Sequence, residues 1–271
     1  LCIIDILFLK KAIFMTYSLN TKLFCIPHAG GSATYYSRFK DFFSEGIDVH
    51  PLEMAGRGRR CRDPLSTSMD TISEDLFTQI EPVARSCPYA LFGHSMGALL
   101  ALLCAHRARE KDMPLPEALF VSACATPDNF LTKSSAPVSS FPPDQLWRHI
   151  RDLGGLPPDV AMSKELCQYL EPILYADFTA LDTWNPADID PLPVPITVFL
   201  GNEDLLRESK ACEWSKLTTR EFSIHSFSGN HFYLQDNWAA LAALIEQTLT
   251  PSGWNAARSA KLPCSLGDDQ A

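Results

Sequence analysis

Tyr89-Ala90-Leu91-Phe92-Gly93-His94-Ser95-Met96-Gly97-Ala98-Leu99-Leu100-Ala101-Leu102-Leu103 reads as three pieces in succession. Tyr89 to Phe92 is an apolar run of strand length, and Ala98 to Leu103 is an apolar run free of glycine and proline, suited to a buried helix. Between them, Gly93 to Gly97 matches G-x-S-x-G, a turn so sharp that its flanking positions need glycine and its serine is lifted clear of the backbone. The five-residue pattern alone is a weak signal. Its position between a buried strand and a helix gives it weight and makes Ser95 the candidate nucleophile.

Working outward, strand signals recur at Leu23 to Pro27, Ile47 to Leu52, Ala118 to Ala123, Ile196 to Gly201 and Glu221 to Phe227. Continuous apolar runs of this kind belong to strands covered on both faces, and the helical patterns between them, such as Ile72, Leu76, Ile80 and Val83, supply the cover. Right-handed crossovers then place helices on both sides of a mainly parallel sheet. The class is α/β and the expected architecture an α/β-hydrolase fold, its core formed by residues 21–126 and 192–250.

The alternation breaks at residues 127–191, which are rich in proline and hold two amphipathic segments. One runs from Asp144 to Leu153 and stops at Gly154-Gly155; the other runs from about Ser163 to Leu181, with an interruption at Pro172. An insertion between core strands reads as a helical lid. Leu146, Trp147, Ile150, Leu170, Ile173, Leu174 and Phe178 either line a cavity beneath it or simply pack on the core.

At 271 residues the chain suits one large domain. Its 46% hydrophobic and 20% charged residues are those of a globular protein. A formal charge of −9 opposes general affinity for nucleic acid or an anionic membrane. The nine cysteines are scattered without a C-x-x-C pair, which argues against structural zinc and fits free thiols in a reducing cytoplasm. Residues 1–14 are apolar but carry Lys10 and Lys11 at the wrong end for a secretory signal, and the stretch is too short to span a bilayer. Residues 1–20 read as an N-terminal extension arising from gene-start choice, with an amphipathic docking segment as the alternative. Residues 251–271 lack any period and read as a disordered tail. No heptad pattern argues for association, so a monomer is expected.

A serine hydroxyl needs a base, and the base needs a third group to hold it. His231 follows the last strand in Phe227-Ser228-Gly229-Asn230-His231 and is the candidate base; a structural histidine is the alternative. The acid is expected in Gly201-Asn202-Glu203-Asp204, where Asp204 leads and Glu203 stays open. His94 reads as a support for the turn. The oxyanion formed by attack on an acyl carbonyl calls for two backbone N–H donors, assigned to Met96, which follows the nucleophile, and Ala29, in the loop after the first strand. That loop, Pro27-His28-Ala29-Gly30-Gly31-Ser32, lacks the G-x-G-x-x-G and Walker patterns of a phosphate cradle. Neither a cofactor nor a metal is called for.

Taken together, four stretches resemble the type II thioesterases of polyketide and nonribosomal peptide synthase pathways. Pro27 to Gly31 looks like their P-x-A-G-G loop, Gly56-Arg57-Gly58-Arg59-Arg60 like their P-G-R-x-x-R stretch, Gly93 to Gly97 like their G-H-S-M-G elbow, and Gly229-Asn230-His231-Phe232 like their G-G-H-F motif. The likeness runs from about Leu23 to Thr250. Ala55 stands where proline is frequent, Tyr175 where arginine precedes Ala176-Asp177-Phe178, and Asn230 where a glycine is common. The resemblance implies hydrolysis of acyl groups from the phosphopantetheine arm of an acyl- or peptidyl-carrier protein, under a lid that moves to admit the arm. His28, Gly30, Phe178 and Phe232 become candidates for substrate contact. Arg57, Arg59 and Arg60, with Arg62, form a positive cluster that either meets an acidic carrier or is a solvated loop. Two other readings use the same chain: a carboxylesterase or lipase acting on small oxygen esters, and an inactive hydrolase-like interaction module.

Overall fold

The computed structural model describes residues 20–128, 136–155, 160, 162–186, 189–204 and 208–249. The expected extension, apart from residue 20, and the expected tail lie outside the described residues. Among the described residues six strands form one sheet: β1 (Thr21–Ile26), β2 (Ile47–Pro51), β3 (Tyr89–His94), β4 (Leu119–Ser122), β5 (Ile196–Gly201) and β6 (Phe222–Phe227). Their order is β2-β1-β3-β4-β5-β6, and every pairing is parallel. β4 stops before Ala123 because that residue turns into the left-handed region at φ 50°.

Alternate residues of each strand feed two separate cores, as the two-residue period of a sheet requires. On one face, Phe24, Ile26, Leu91, Val121 and Val198 pack under α1 (Met69–Ala84) and α2 (Met96–Glu110). On the other, Leu23, Cys25, Phe92, Phe120 and Phe199 pack with Tyr36, Phe39 and the helix near the C-terminus. Strands apolar on both faces therefore lie between two layers of helix.

Two further helices, α3 (Pro143–Asp152) and α4 (Lys164–Thr183), fall between β4 and β5. Proline opens α3, where its missing N–H costs nothing, and Gly154 at φ 81° closes it, with Gly155 N–H donating to Ile150 O at 3.1 Å. α4 corrects one expectation, because Pro172 does not interrupt it. An interior proline costs about 3 kcal/mol. Burial just downstream of Ile173, Leu174, Ala176, Ala180 and Leu181 offsets that cost. Leu146, Ile150 and Leu174 form a small core of their own between the two helices. The last long helix, α5 (Leu234–Leu249), returns to the second face of the sheet. Among the described residues no helix is long and apolar enough to cross a membrane.

Candidate active site

Ser95 sits between β3 and α2 at φ 55°, ψ −121°, a conformation a side chain adopts only under strain of about 1–3 kcal/mol. Its N–H is tied to Ser122 O at the end of β4, at 2.8 Å. A side chain at Gly93 would collide with the backbone of Gly97, and one at Gly97 with Ile26 O and Pro27 O. The glycines thus let α2 start hard against the end of β1, and that places the first turn of α2 beside the Pro27–Ser32 loop.

The turns after β5 and β6 interlock. Asn202 N–H donates to Phe227 O at 2.8 Å, Glu203 N–H to Gly229 O at 2.9 Å, and Gly229 N–H to Asn202 Oδ1 at 3.1 Å. Gly201 has no side chain to obstruct the Gly229–Asn230 backbone that crosses it. The result brings His231 Nδ1 to 2.9 Å from Asp204 Oδ2, with the Asp204 side chain only 4% exposed. Glu203, the open alternative, is exposed. Asn230 caps its own turn by accepting Phe232 N–H at 2.9 Å, which accounts for a side chain where the related motif has glycine. Ser95 and His231 open onto the same cavity. No hydrogen bond joins them among the described residues.

The loop after β1 offers three consecutive N–H groups. Gly31 N–H is taken by His28 O at 2.9 Å and Gly30 N–H by Asp177 Oδ2 at 2.7 Å. Ala29 N–H has no acceptor among the described residues. Met96 occupies the first position of α2, whose opening N–H groups have no partner inside the helix. These are the two donors assigned from the sequence, and both belong to segments that abut.

Two further histidines flank the site. His94 Nδ1 lies 2.9 Å from Ser122 Oγ, which lies 2.7 Å from Tyr233 Oη, so the imidazole is held inside a buried chain beneath the turn. Burial, and then the nearby His231 and His28, push its pKa well below the usual imidazole range. His28 stands on the cavity wall edge-to-face with Tyr35 and Phe232. Burial, then the charges at His231 and Arg57, lower its pKa to about 3. Burial disfavours the charged form of both rings, and it is His231 that bonds Asp204.

The cavity encloses about 320 Å³. Apolar side chains of the insertion roof it: Trp147, Ile150, Leu170, Leu174, Phe178 and Leu181. His28, Gly30, Phe178 and Phe232, expected at the substrate, line it. The arginines do not form the single exposed cluster that was one expectation. Arg57 is 2% exposed and forks onto Asp177, Nη1 to Oδ2 at 2.6 Å and Nη2 to Oδ1 at 2.7 Å. Its charge is spent inside the protein, so it offers no carrier contact. Arg60 is engaged by Asp63 and Asp75. Arg59 and Arg62 remain exposed.

Sequence reasoning did not assign Asp177, Glu53 or Tyr233. Asp177 carried a usable signal: an acid on the face of α4 that also bears Ile173, Leu174, Ala180 and Leu181 must be buried, and a buried carboxylate demands a cation or N–H donors. Glu53, 1% exposed, accepts Ala33 N–H at 3.0 Å and Arg59 N–H at 3.3 Å. Among the described residues no group of His, Cys, Asp and Glu is arranged to hold a metal ion.

Residues 21–249 match the thioesterase domain family. The chain belongs to the thioesterase family. This thioesterase is 33% identical to the gramicidin S biosynthesis protein GrsT of Aneurinibacillus migulanus, over 80% of its own length and 84% of the relative's. It is 30% identical to the thioesterase PikA5 of Streptomyces venezuelae, over 90% and 87% of the two chains. Among solved structures it superposes on ClbQ from the colibactin NRPS/PKS pathway with a TM-score of 0.80 and 31% identity, covering 89% of this chain and 99% of that one. As a member of this family it is a thioester hydrolase with an α/β-hydrolase architecture.

Proposed function

We propose that the protein removes acyl groups from the phosphopantetheine arm of acyl- or peptidyl-carrier proteins, as an editing enzyme of polyketide or nonribosomal peptide biosynthesis. The observation that carries the chemistry is the His231–Asp204 bond opening onto the same apolar cavity as Ser95. In this reading Ser95 Oγ attacks the thioester carbonyl while His231 Nε2 takes its proton, and Asp204 holds the imidazole by Nδ1 and stabilises the imidazolium. Negative charge on the carbonyl oxygen is met by Ala29 N–H and Met96 N–H. The carbon–sulfur bond breaks, and the thiol leaves with the proton from His231. Water, activated by His231, then attacks the acyl–serine ester and releases the free acid. Thiolate departs readily, so the site needs little help at that step.

The acyl chain lies under α3 and α4, which act as the lid, and the carrier approaches from the side bearing exposed Arg59 and Arg62. GrsT is named as a gramicidin S biosynthesis protein and ClbQ comes from the colibactin NRPS/PKS pathway, which supports the choice of carrier-bound substrate. Cys25, Cys61, Cys87, Cys104 and Cys167 are free thiols, in keeping with a cytoplasmic site of action. Mass spectrometry of an acyl-loaded carrier protein, with and without the enzyme, tests the proposal. Wild type should restore the free phosphopantetheine thiol and release the acid, and Ser95→Ala should leave the carrier loaded. Faster turnover of a matched oxygen ester, or a carrier still acylated by wild type, would remove it.

A further inference from the structure

Two buried carboxylates grip the backbone that follows β1. Asp177 Oδ2 accepts Gly30 N–H at 2.7 Å, and Glu53 Oε1 accepts Ala33 N–H at 3.0 Å. Each also binds the Gly56–Arg60 segment, Asp177 through the Arg57 fork and Glu53 through Arg59 N–H. Arg57 Nη1 reaches Gly31 O as well, at 3.3 Å. Glu53 belongs to the core, two residues beyond β2. Asp177 comes from α4, on the roof of the cavity, and Leu174 of the same helix packs against Gly30.

Gly30 adopts φ 77° and directly follows Ala29, whose N–H has no acceptor among the described residues. Ala29 N–H lies in the His28–Ala29 peptide, whose carbonyl oxygen accepts Gly31 N–H at 2.9 Å, and Asp177 holds the intervening Ala29–Gly30 peptide through Gly30 N–H. We propose that Asp177 is a positioning residue for the oxyanion hole: its carboxylate, oriented by Arg57, pins Gly30 and thereby aims Ala29 N–H at the substrate's carbonyl oxygen. The roof helix and the oxyanion donor are thus one mechanical unit, and displacing α4 slackens the hole. This rests on the reading of Ser95 as an acyl-transfer nucleophile.

Removing Asp177 alone would strand a buried guanidinium, so the test compares two double variants in which that charge is gone. Arg57→Met with Asp177→Asn keeps an acceptor for Gly30 N–H; Arg57→Met with Asp177→Leu has nearly the same shape and lacks one. Both are first checked for native near-ultraviolet dichroism and a cooperative melt. Hydrolysis of a short-chain acyl thioester is then measured, together with inhibition by an alkyl trifluoromethyl ketone, whose adduct places an oxyanion in the hole.

The Asn form should keep kcat/KM within tenfold of wild type. The Leu form should fall on the order of 100-fold, the size of one lost oxyanion donor, with KM little changed and ketone affinity reduced in parallel. Equal rates in the two folded variants, or a loss confined to KM, would overturn the proposal and leave the hydrolase reading intact. Wild-type protein that fails to hydrolyse the thioester would overturn the hydrolase reading and the proposal with it. If the Leu form alone fails to fold, ketone affinity of the Asn form against wild type decides: a loss beyond tenfold contradicts the proposal and near-equality supports it.

Discussion

On the floor of the cavity, the loops carrying Ser95, Asp204 and His231 are fastened by main-chain bonds, such as Ser95 N–H to Ser122 O and Glu203 N–H to Gly229 O. The roof rests on side chains: Leu174 on Gly30, Gly155 against Phe232, and the Arg57–Asp177 fork. Main-chain fastening depends on glycines and on strand register, and fixes geometry within a narrow range. Side-chain fastening can be broken and remade as a unit, which suits the lid role proposed for α3 and α4. The separate small core of Leu146, Ile150 and Leu174 gives the roof little cohesion of its own beside the two cores that sandwich the sheet.

The largest expected effect falls on the floor. Ser95→Ala should lower kcat by roughly four orders of magnitude or more, as loss of one triad member does, with unfolding temperature little changed because alanine keeps the Cβ and the same backbone conformation. Steady-state kinetics with a melting curve checks both halves. On the roof, Arg57→Ala should cost about 3–5 kcal/mol of stability by leaving Asp177 buried and unpaired. Urea denaturation measures it, and a loss under 1 kcal/mol would mean the fork is not what holds α4 to the loop.

These two regions were unequally legible in the sequence. The elbow and the turns that carry Asp204 after β5 and His231 after β6 are short local patterns tied to strand ends, and the fold follows from six apolar runs and the helices between them. Even there the choice between Glu203 and Asp204 awaited the crossing of two turns, because adjacent residues differ only in direction. The roof was harder. Pro172 argued locally for a break in α4, but burial in the following turn outweighs one missing hydrogen bond. Arg57 looked like part of a solvated cluster because its partner lies 120 residues away, on a helix whose docking no local pattern specifies.

A smaller effect sharpens the contrast at the boundary between the two regions. Burial lowers the pKa of His28 from an ordinary 6.5 to about 3. Between those values the unfolded chain binds a proton that the folded one refuses, so stability is full above about pH 6.5 and falls as the pH drops. Melting temperature should decrease from pH 7 to pH 5, and His28→Asn should show a shallower decrease; identical slopes would contradict the assignment. The smallest effect belongs to the outer end of the roof. Ser163 Oγ caps α4 by accepting Leu166 N–H at 3.2 Å, and Ser163→Ala should cost about 1 kcal/mol. Hydrogen exchange should rise in the first turns of α4 while β3 and β5 stay protected.

Reaction with a fluorophosphonate, followed by peptide mapping, probes the convergence of Ser95, Asp204 and His231 most directly. Wild type should carry one adduct, on Ser95, and His231→Ala and Asp204→Ala should label at least a hundredfold more slowly. An adduct on another residue, or an undiminished rate in the folded His231→Ala protein, would show that these side chains do not act together.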